Sequence, residues 1–247
     1  MIFVPHIDLN VTEHCNLSCR SCSHASPVMK PWAMPLDMIE RDLLALKPFL
    51  RTRSIQILGG EPLLHPLIVG VLQLVKRLRI DQGTSVITNG RLLPRMTEEF
   101  WRELEYLQIS VYPGLPEDVL QLAEEKRQEF RFGLGVTKFD AFYNQIKAEP
   151  DDGVKAFTDC RWKTDCQTVH RGHFYLCSQS CFFPKALMGL PAETDGLPLA
   201  GITEEKLAAF LTRTEPLKAC GVCCAHTMQT EPWREVKRGD WRKESTA

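Results

Sequence analysis

The sequence predicts an α/β chain: a partial (β/α)6 barrel of the TIM type over residues 1–150, then a small loop-rich domain over 151–247. Three observations carry the prediction. Short apolar runs alternate with segments of helical spacing, the pattern of βα units around a parallel sheet. The residues best suited to ligand binding fall at the ends of those runs, where parallel barrels gather their sites. The ten cysteines avoid the middle of the chain: three lie between 15 and 22, none from 23 to 159, and seven follow.

Taken in order, residues 7–11 form the first strand and run into Cys15, Cys19 and Cys22, spaced CxxxCxxC. Residues 55–58 are a buried strand that stops at Gly59-Gly60. Leu67, Ile68, Val71, Leu72, Val75 and Leu78 then recur at helical spacing. Residues 85–88 make the third strand and end at Asn89-Gly90. Thr97 caps a helix that starts with Glu98-Glu99, and residues 107–111 follow as the fourth strand. Pro116 opens a helix to about residue 129, and residues 131–136 are the fifth strand. Glu149-Pro150-Asp151-Asp152-Gly153 breaks the periodicity with turn chemistry and marks the domain boundary. Beyond it, one further helix is capped by Thr203 and carries Leu207, Phe210 and Leu211.

Composition excludes some functions. With 30 Lys and Arg against 31 Asp and Glu, the net charge is −1 and no basic stripe is visible, so no nucleic-acid partner is expected. The longest apolar stretch, LIVGVLQLV, is too short to span a bilayer, and the N-terminus lacks a signal-peptide pattern. A cytoplasmic protein with no membrane partner is expected. There, ten cysteines point to metal ligation rather than disulfides.

Three thiolates on one tight loop can bind three irons of a [4Fe–4S] cluster and leave the fourth open to a ligand. Paired glycines let backbone approach closely, and Glu61 offers an acceptor for an ammonium. An amino acid group held beside iron needs these parts.

CxxxCxxC after the first strand and GGEP after the second, across βα units from about residue 6 to 145, resemble the radical SAM superfamily. The resemblance implies that Cys15, Cys19 and Cys22 ligate the cluster and that the methionine part of S-adenosylmethionine (SAM) chelates the open iron. Gly59, Gly60 and Glu61 receive its amino group, and Ser110 lies near the ribose. Reductive cleavage then gives methionine and a 5′-deoxyadenosyl radical that takes hydrogen from substrate. Where many members carry an aromatic residue before the third cysteine, this chain has Ser21.

The later cysteines resemble the shortened auxiliary-cluster domain, called twitch, of the SPASM group. A stretch from Cys160 through Gly172 to Cys177, with Cys220 and Cys223 as a later CxxC, implies four ligands to an auxiliary [4Fe–4S] cluster. A four-cysteine zinc site is the alternative for this group. Cys166, Cys181 and Cys224 are left over and are candidate hydrogen-atom donors. His14, His24, His65 and His226 are read as structural.

The first strand begins within about ten residues of Met1, which leaves no room for a leader-binding domain. The wording CNLSCRSCSH, LGGEPLLHP, ITNG and SVYP also looks like radical SAM proteins of carbohydrate and small-metabolite pathways. A small-metabolite or sugar-type substrate is expected, with dehydrogenation or epimerisation as outcomes. A peptide-modifying enzyme and a non-catalytic iron–sulfur or zinc protein are the alternatives. The chain carries no flavin or nicotinamide fingerprint, so a flavodoxin or ferredoxin is the expected electron donor.

Overall fold

The computed structural model describes residues 1–246. Five parallel strands succeed one another: β1 (Ile2–Thr12), β2 (Leu50–Gly59), β3 (Asp81–Thr88), β4 (Tyr106–Val111) and β5 (Gly133–Lys138). The helices between them are α1 (Leu36–Leu46), α2 (Ile68–Leu78), α3 (Glu98–Glu103) and α4 (Glu117–Phe130). This is the expected α/β pattern of a partial barrel. Expected strands and observed strands differ mainly at their starts. Arg131, for instance, is not in β5; it ends α4 in the left-handed region at φ 62°.

Helix α1 lies in a stretch to which the periodicity reading assigned no element. It forms because Ile39, Leu43 and Leu46 recur three and four residues apart and bury one face completely. Thr97 caps α3 by accepting from the Phe100 amide at 3.4 Å.

After β6 (Ala141–Tyr143), α5 (Val154–Thr158) and α6 (Trp162–Asp165), the chain returns to the sheet. There β7 (Gln167–His170) pairs with β1 in parallel, Ile7 opposite Gln167. It is the sixth parallel strand, and it comes from beyond residue 150. Arg171 and Gly172 then turn the chain with φ 47° and 77°, which suits a two-residue hairpin loop, into antiparallel β8 (His173–Tyr175) and β9 (Leu197–Pro198). The sheet order is β5-β4-β3-β2-β1-β7-β8-β9.

Pleating decides what each face carries, because successive side chains point to opposite sides. Ile7, Leu9, Val11, Ile55, Ile57, Val86, Leu107 and Ile109 join the core formed with the helices. The alternate positions of β1 are Asp8, Asn10 and Thr12, all buried and all polar. They share the opposite face, the inside of the barrel.

The remaining helices are α7 (Ser178–Met188), α8 (Glu204–Leu211) and α9 (Trp241–Ser245), with a short strand β10 (Thr230–Pro232) paired antiparallel to β6. Thr203 caps α8 as expected. Among the described residues, no helix is long and apolar enough to cross a membrane.

Candidate active site

The loop of Cys15, Cys19 and Cys22 leaves the end of β1 and is seated by the end of β2. The amides of Gly60 and Glu61 donate to the carbonyls of Thr12 (2.9 Å) and His14 (3.0 Å). A Cβ on Gly60 would lie 2.1 Å from the His14 carbonyl oxygen, and one on Gly59, whose φ is +150°, 2.3 Å from that of Thr12. The glycine pair is therefore required by the cysteine loop itself, whose backbone presses on it.

Glu61 is buried and ties three segments together. Its carboxylate accepts from the Thr88 hydroxyl at 2.6 Å and from the amides of Asn89 (2.9 Å) and Leu63 (3.1 Å). Burial nonetheless pushes its pKa up to about 7. A carboxylate has about four acceptor positions, so one remains for a ligand donor. Asn89 also donates to Asn16 at 2.7 Å and faces the Cys15 sulfur at 3.7 Å.

These residues line a cleft of about 1000 Å³. The three thiols, Gly59, Gly60, Glu61 and Ser110 all face it, so every expected residue of the first site meets there. Burial pushes Cys19 up to about 12 and raises Cys15 and Cys22 as well. Metal binding has to displace those protons. Among the described residues, no group of three or more His, Cys, Asp or Glu is arranged to hold a lone metal ion.

The sequence reading missed what closes this site. The C-terminal segment runs over the cysteine loop: Cys19 bridges to Glu235, Ser18 donates its amide to the Glu235 carboxylate at 3.0 Å, and the Trp241 indole donates to the Cys19 carbonyl at 3.1 Å. Ser26 Oγ and Trp233 Nε1 are buried without a hydrogen-bond partner by distance and angle. Both face the sulfurs, Ser26 that of Cys22 and Trp233 that of Cys19, where they favour the thiolate. Donors left open toward sulfur suit a thiolate-held cluster. Ser21 points away, buried at φ 55° under the C-terminal Ser245. The aromatic groups of the cleft come from elsewhere: Tyr112 stacks on Phe139 at 5.3 Å and packs on Trp233 at 5.4 Å.

A second group of thiols, Cys160, Cys177, Cys220 and Cys223, lines a small cavity of about 20 Å³. Cys177 sits at the N-cap of α7, where the helix dipole favours a thiolate, although burial pushes it up to about 12. The segment of Cys220 and Cys223 is pinned by pairing of Ile146 with Cys223 and by the amide of Asp151 on the Gly221 carbonyl. Asp195 holds it from the other side, accepting from the amides of Lys218 and Ala219, both at 2.8 Å. Asp195→Ala leaves two backbone donors unsatisfied; a loss of about 2 kcal/mol in urea unfolding is expected. It should also release the iron or zinc of this group before that of Cys15, Cys19 and Cys22, which metal assays during unfolding would read.

The three leftover cysteines separate. Cys181 is 2% exposed and packed in the core with Phe183 and Tyr175. Cys224 turns to the Asn144 carbonyl at 3.5 Å. Cys166 lines a cavity of about 330 Å³ that shares His24, Tyr143, Gln145 and Trp162 with the first cleft and Gln179 with the cysteine cavity. Neither this cavity nor the first cleft is lined by any Lys or Arg among the described residues.

The radical SAM superfamily model matches residues 9–138, more than half the chain. The chain belongs to the radical SAM superfamily. A GTP 3′,8-cyclase of Chlorobaculum tepidum is 31% identical over 146 residues, 59% of this chain and 40% of that protein. Molybdenum cofactor biosynthesis protein 1 of Homo sapiens is 31% identical over 97 residues, 37% of this chain and 15% of that protein. The chain thus spans well under half the length of these two curated relatives. The crystal structure of BtrN in complex with AdoMet and 2-DOIA superposes with a TM-score of 0.58 over 98% of this chain and 87% of BtrN, at 12% identity, which shows a shared fold. The CxxxCxxC loop and the GGEP turn stand at the C-terminal ends of β1 and β2.

Proposed function

We propose that this radical SAM enzyme abstracts hydrogen from a small-metabolite or sugar-type substrate and completes a dehydrogenation or an epimerisation in a biosynthetic pathway. Residues 1–150 would form the radical core, completed by β7 from beyond residue 150, and the rest of residues 151–247 the SPASM/twitch-type auxiliary domain. Cys15, Cys19 and Cys22 would hold the SAM-binding [4Fe–4S] cluster, with Gly59, Gly60, Glu61 and Ser110 receiving SAM. Cys160, Cys177, Cys220 and Cys223 would hold the auxiliary [4Fe–4S] cluster. When bound, these groups supply reductive cleavage of SAM to a 5′-deoxyadenosyl radical and a one-electron acceptor nearby.

The observation that carries the proposal is the run of three cavities, each sharing lining residues with the next, from the first three thiols to the other four. The chain's own residues divide the work. Glu61 keeps one acceptor position for the SAM amino group. Tyr112, Phe139 and Phe142 wall the cleft with apolar surface that excludes water from a radical. Gln145 and Gln179 offer amides to a substrate in the shared space. A cytoplasmic setting fits ten unpaired thiols, and a flavodoxin or ferredoxin would deliver the electron.

Anaerobic reconstitution followed by dithionite and SAM is expected to release 5′-deoxyadenosine, with about eight irons per chain, falling to about four when Cys15, Cys19 and Cys22 become Ala. An intact N-terminal cluster that yields no 5′-deoxyadenosine would remove the enzymatic reading. Four irons and one zinc would move the later cysteines to a structural role. A second reading, cyclisation of a nucleotide, is favoured by the cyclase relatives. It has to place a triphosphate in the first cleft or the Cys166 cavity, neither of them lined by Lys or Arg among the described residues, beside the carboxyl groups of Glu61 and Asp8.

A further inference from the structure

Asp8 sits inside the barrel on β1, between Gln56 of β2 and Thr168 of β7, and faces the cavity that Cys166 lines. It is 8% exposed, and its carboxyl makes no hydrogen bond or ion pair among the described residues. A buried carboxyl without a partner is costly, and natural structures rarely leave one so. His24, on the same wall, also keeps a buried Nε2 without a partner. A carboxyl on a cavity wall with no protein partner marks a place where a ligand can complete it.

We infer that this cavity binds a phosphate-free small molecule by a donor group, an ammonium or a hydroxyl, that hydrogen-bonds to the Asp8 carboxylate. The inference rests on the small-metabolite reading above and narrows it to substrates whose recognised group is a donor. Burial pushes Asp8 up to about 7 in the empty cavity, as an unpaired carboxyl should be. An ammonium seated there returns it to the charged form and forms a charge-assisted bond. A phosphate or carboxylate finds the reverse: it meets the Asp8 carboxyl, and no Lys or Arg lines this cavity among the described residues.

Cys166 is a built-in reporter of that selectivity. Holoprotein reconstituted anaerobically is exposed to cationic aminoethyl or anionic sulfonatoethyl methanethiosulfonate, and labelling of Cys166 is followed by peptide mass spectrometry. The cation should label at least about tenfold faster, after division by the same ratio for free cysteine, as expected for a carboxylate at the reacting end of a cavity. Asp8→Asn should bring the corrected ratio close to one. A ratio near one in the unmodified protein, a ratio unchanged by Asp8→Asn, or no labelling with either reagent would overturn the inference. Should Asp8→Asn fail to fold, competition on the unmodified protein decides. Glucosamine should protect Cys166 from iodoacetamide and glucose 6-phosphate should not; equal protection by both, or none by either, would overturn it. SAM cleavage enters neither readout, so failure here and failure of the radical reading are separate results.

Discussion

Replacing Gly60 by Ala should empty the first cluster site: iron falls from about eight to about four per chain, and 5′-deoxyadenosine disappears. The added methyl would lie 2.1 Å from the His14 carbonyl oxygen and 2.3 Å from its carbon. Neither is the end of a flexible side chain. They belong to the backbone that leads into Cys15, held there by the Glu61 amide on the His14 carbonyl. Relief would require the loop to lift, which breaks that bond and the neighbouring one from the Gly60 amide to Thr12. Lifting the loop also removes the first thiol from the cleft. The damage should stay local, because the Cys160, Cys177, Cys220 and Cys223 cavity lies on other segments. Gly83→Ala is the control: its added Cβ meets nothing within 4 Å and its φ is not positive, so iron content and SAM cleavage should match the unmodified protein. A fully loaded and active Gly60→Ala protein would show that the glycines do not seat the loop.

Much of this site was legible because its parts are local. Three cysteines within eight residues and GGEP after an apolar run need no knowledge of distant contacts. The five strands before residue 140 were legible for the same reason, since each is a local apolar run, even β5, which buries none of its residues. The register between distant segments was not. β7 has only four residues, and nothing in QTVH announces that it pairs with β1 some 160 positions away. The cover over the cysteine loop is built from Trp233, Glu235 and Trp241 in a short, charged, irregular stretch whose purpose appears only when it meets Ser18 and Cys19. One signal was present and passed over. In IDLNVT every second residue is polar, and a parallel strand buried on both faces normally reads as a continuous apolar run. Asp8, Asn10 and Thr12 break that rule on one face alone, which marks the inside of the barrel as a place where polar groups are wanted.

If the reaction inverts a carbon, Cys166→Ala should abolish the inverted product while iron stays near eight per chain and 5′-deoxyadenosine release persists. Inversion requires a hydrogen atom from the face opposite the one attacked: the S–H bond breaks, the C–H bond forms, and the sulfur radical left behind takes one electron and one proton from the external donor and water. Of Cys166, Cys181 and Cys224, only Cys166 faces the space between the first three thiols and the other four. Burial, followed by the nearby Asp8 charge, raises its pKa, which keeps it as the thiol, the form that can donate a hydrogen atom. Cys181→Ala and Cys224→Ala remove thiols turned into the core and toward Asn144, so both should retain product. A thiol proton exchanges with solvent, so in deuterated water the unmodified enzyme should place one deuterium at the inverted carbon. Full inverted product from Cys166→Ala would show that another group donates the hydrogen atom, whereas a product two electrons more oxidised and free of solvent deuterium would assign the reaction to dehydrogenation. Loss of an electron and a proton from the substrate radical then ends the sequence, and the thiol of Cys166 only shapes the cavity wall.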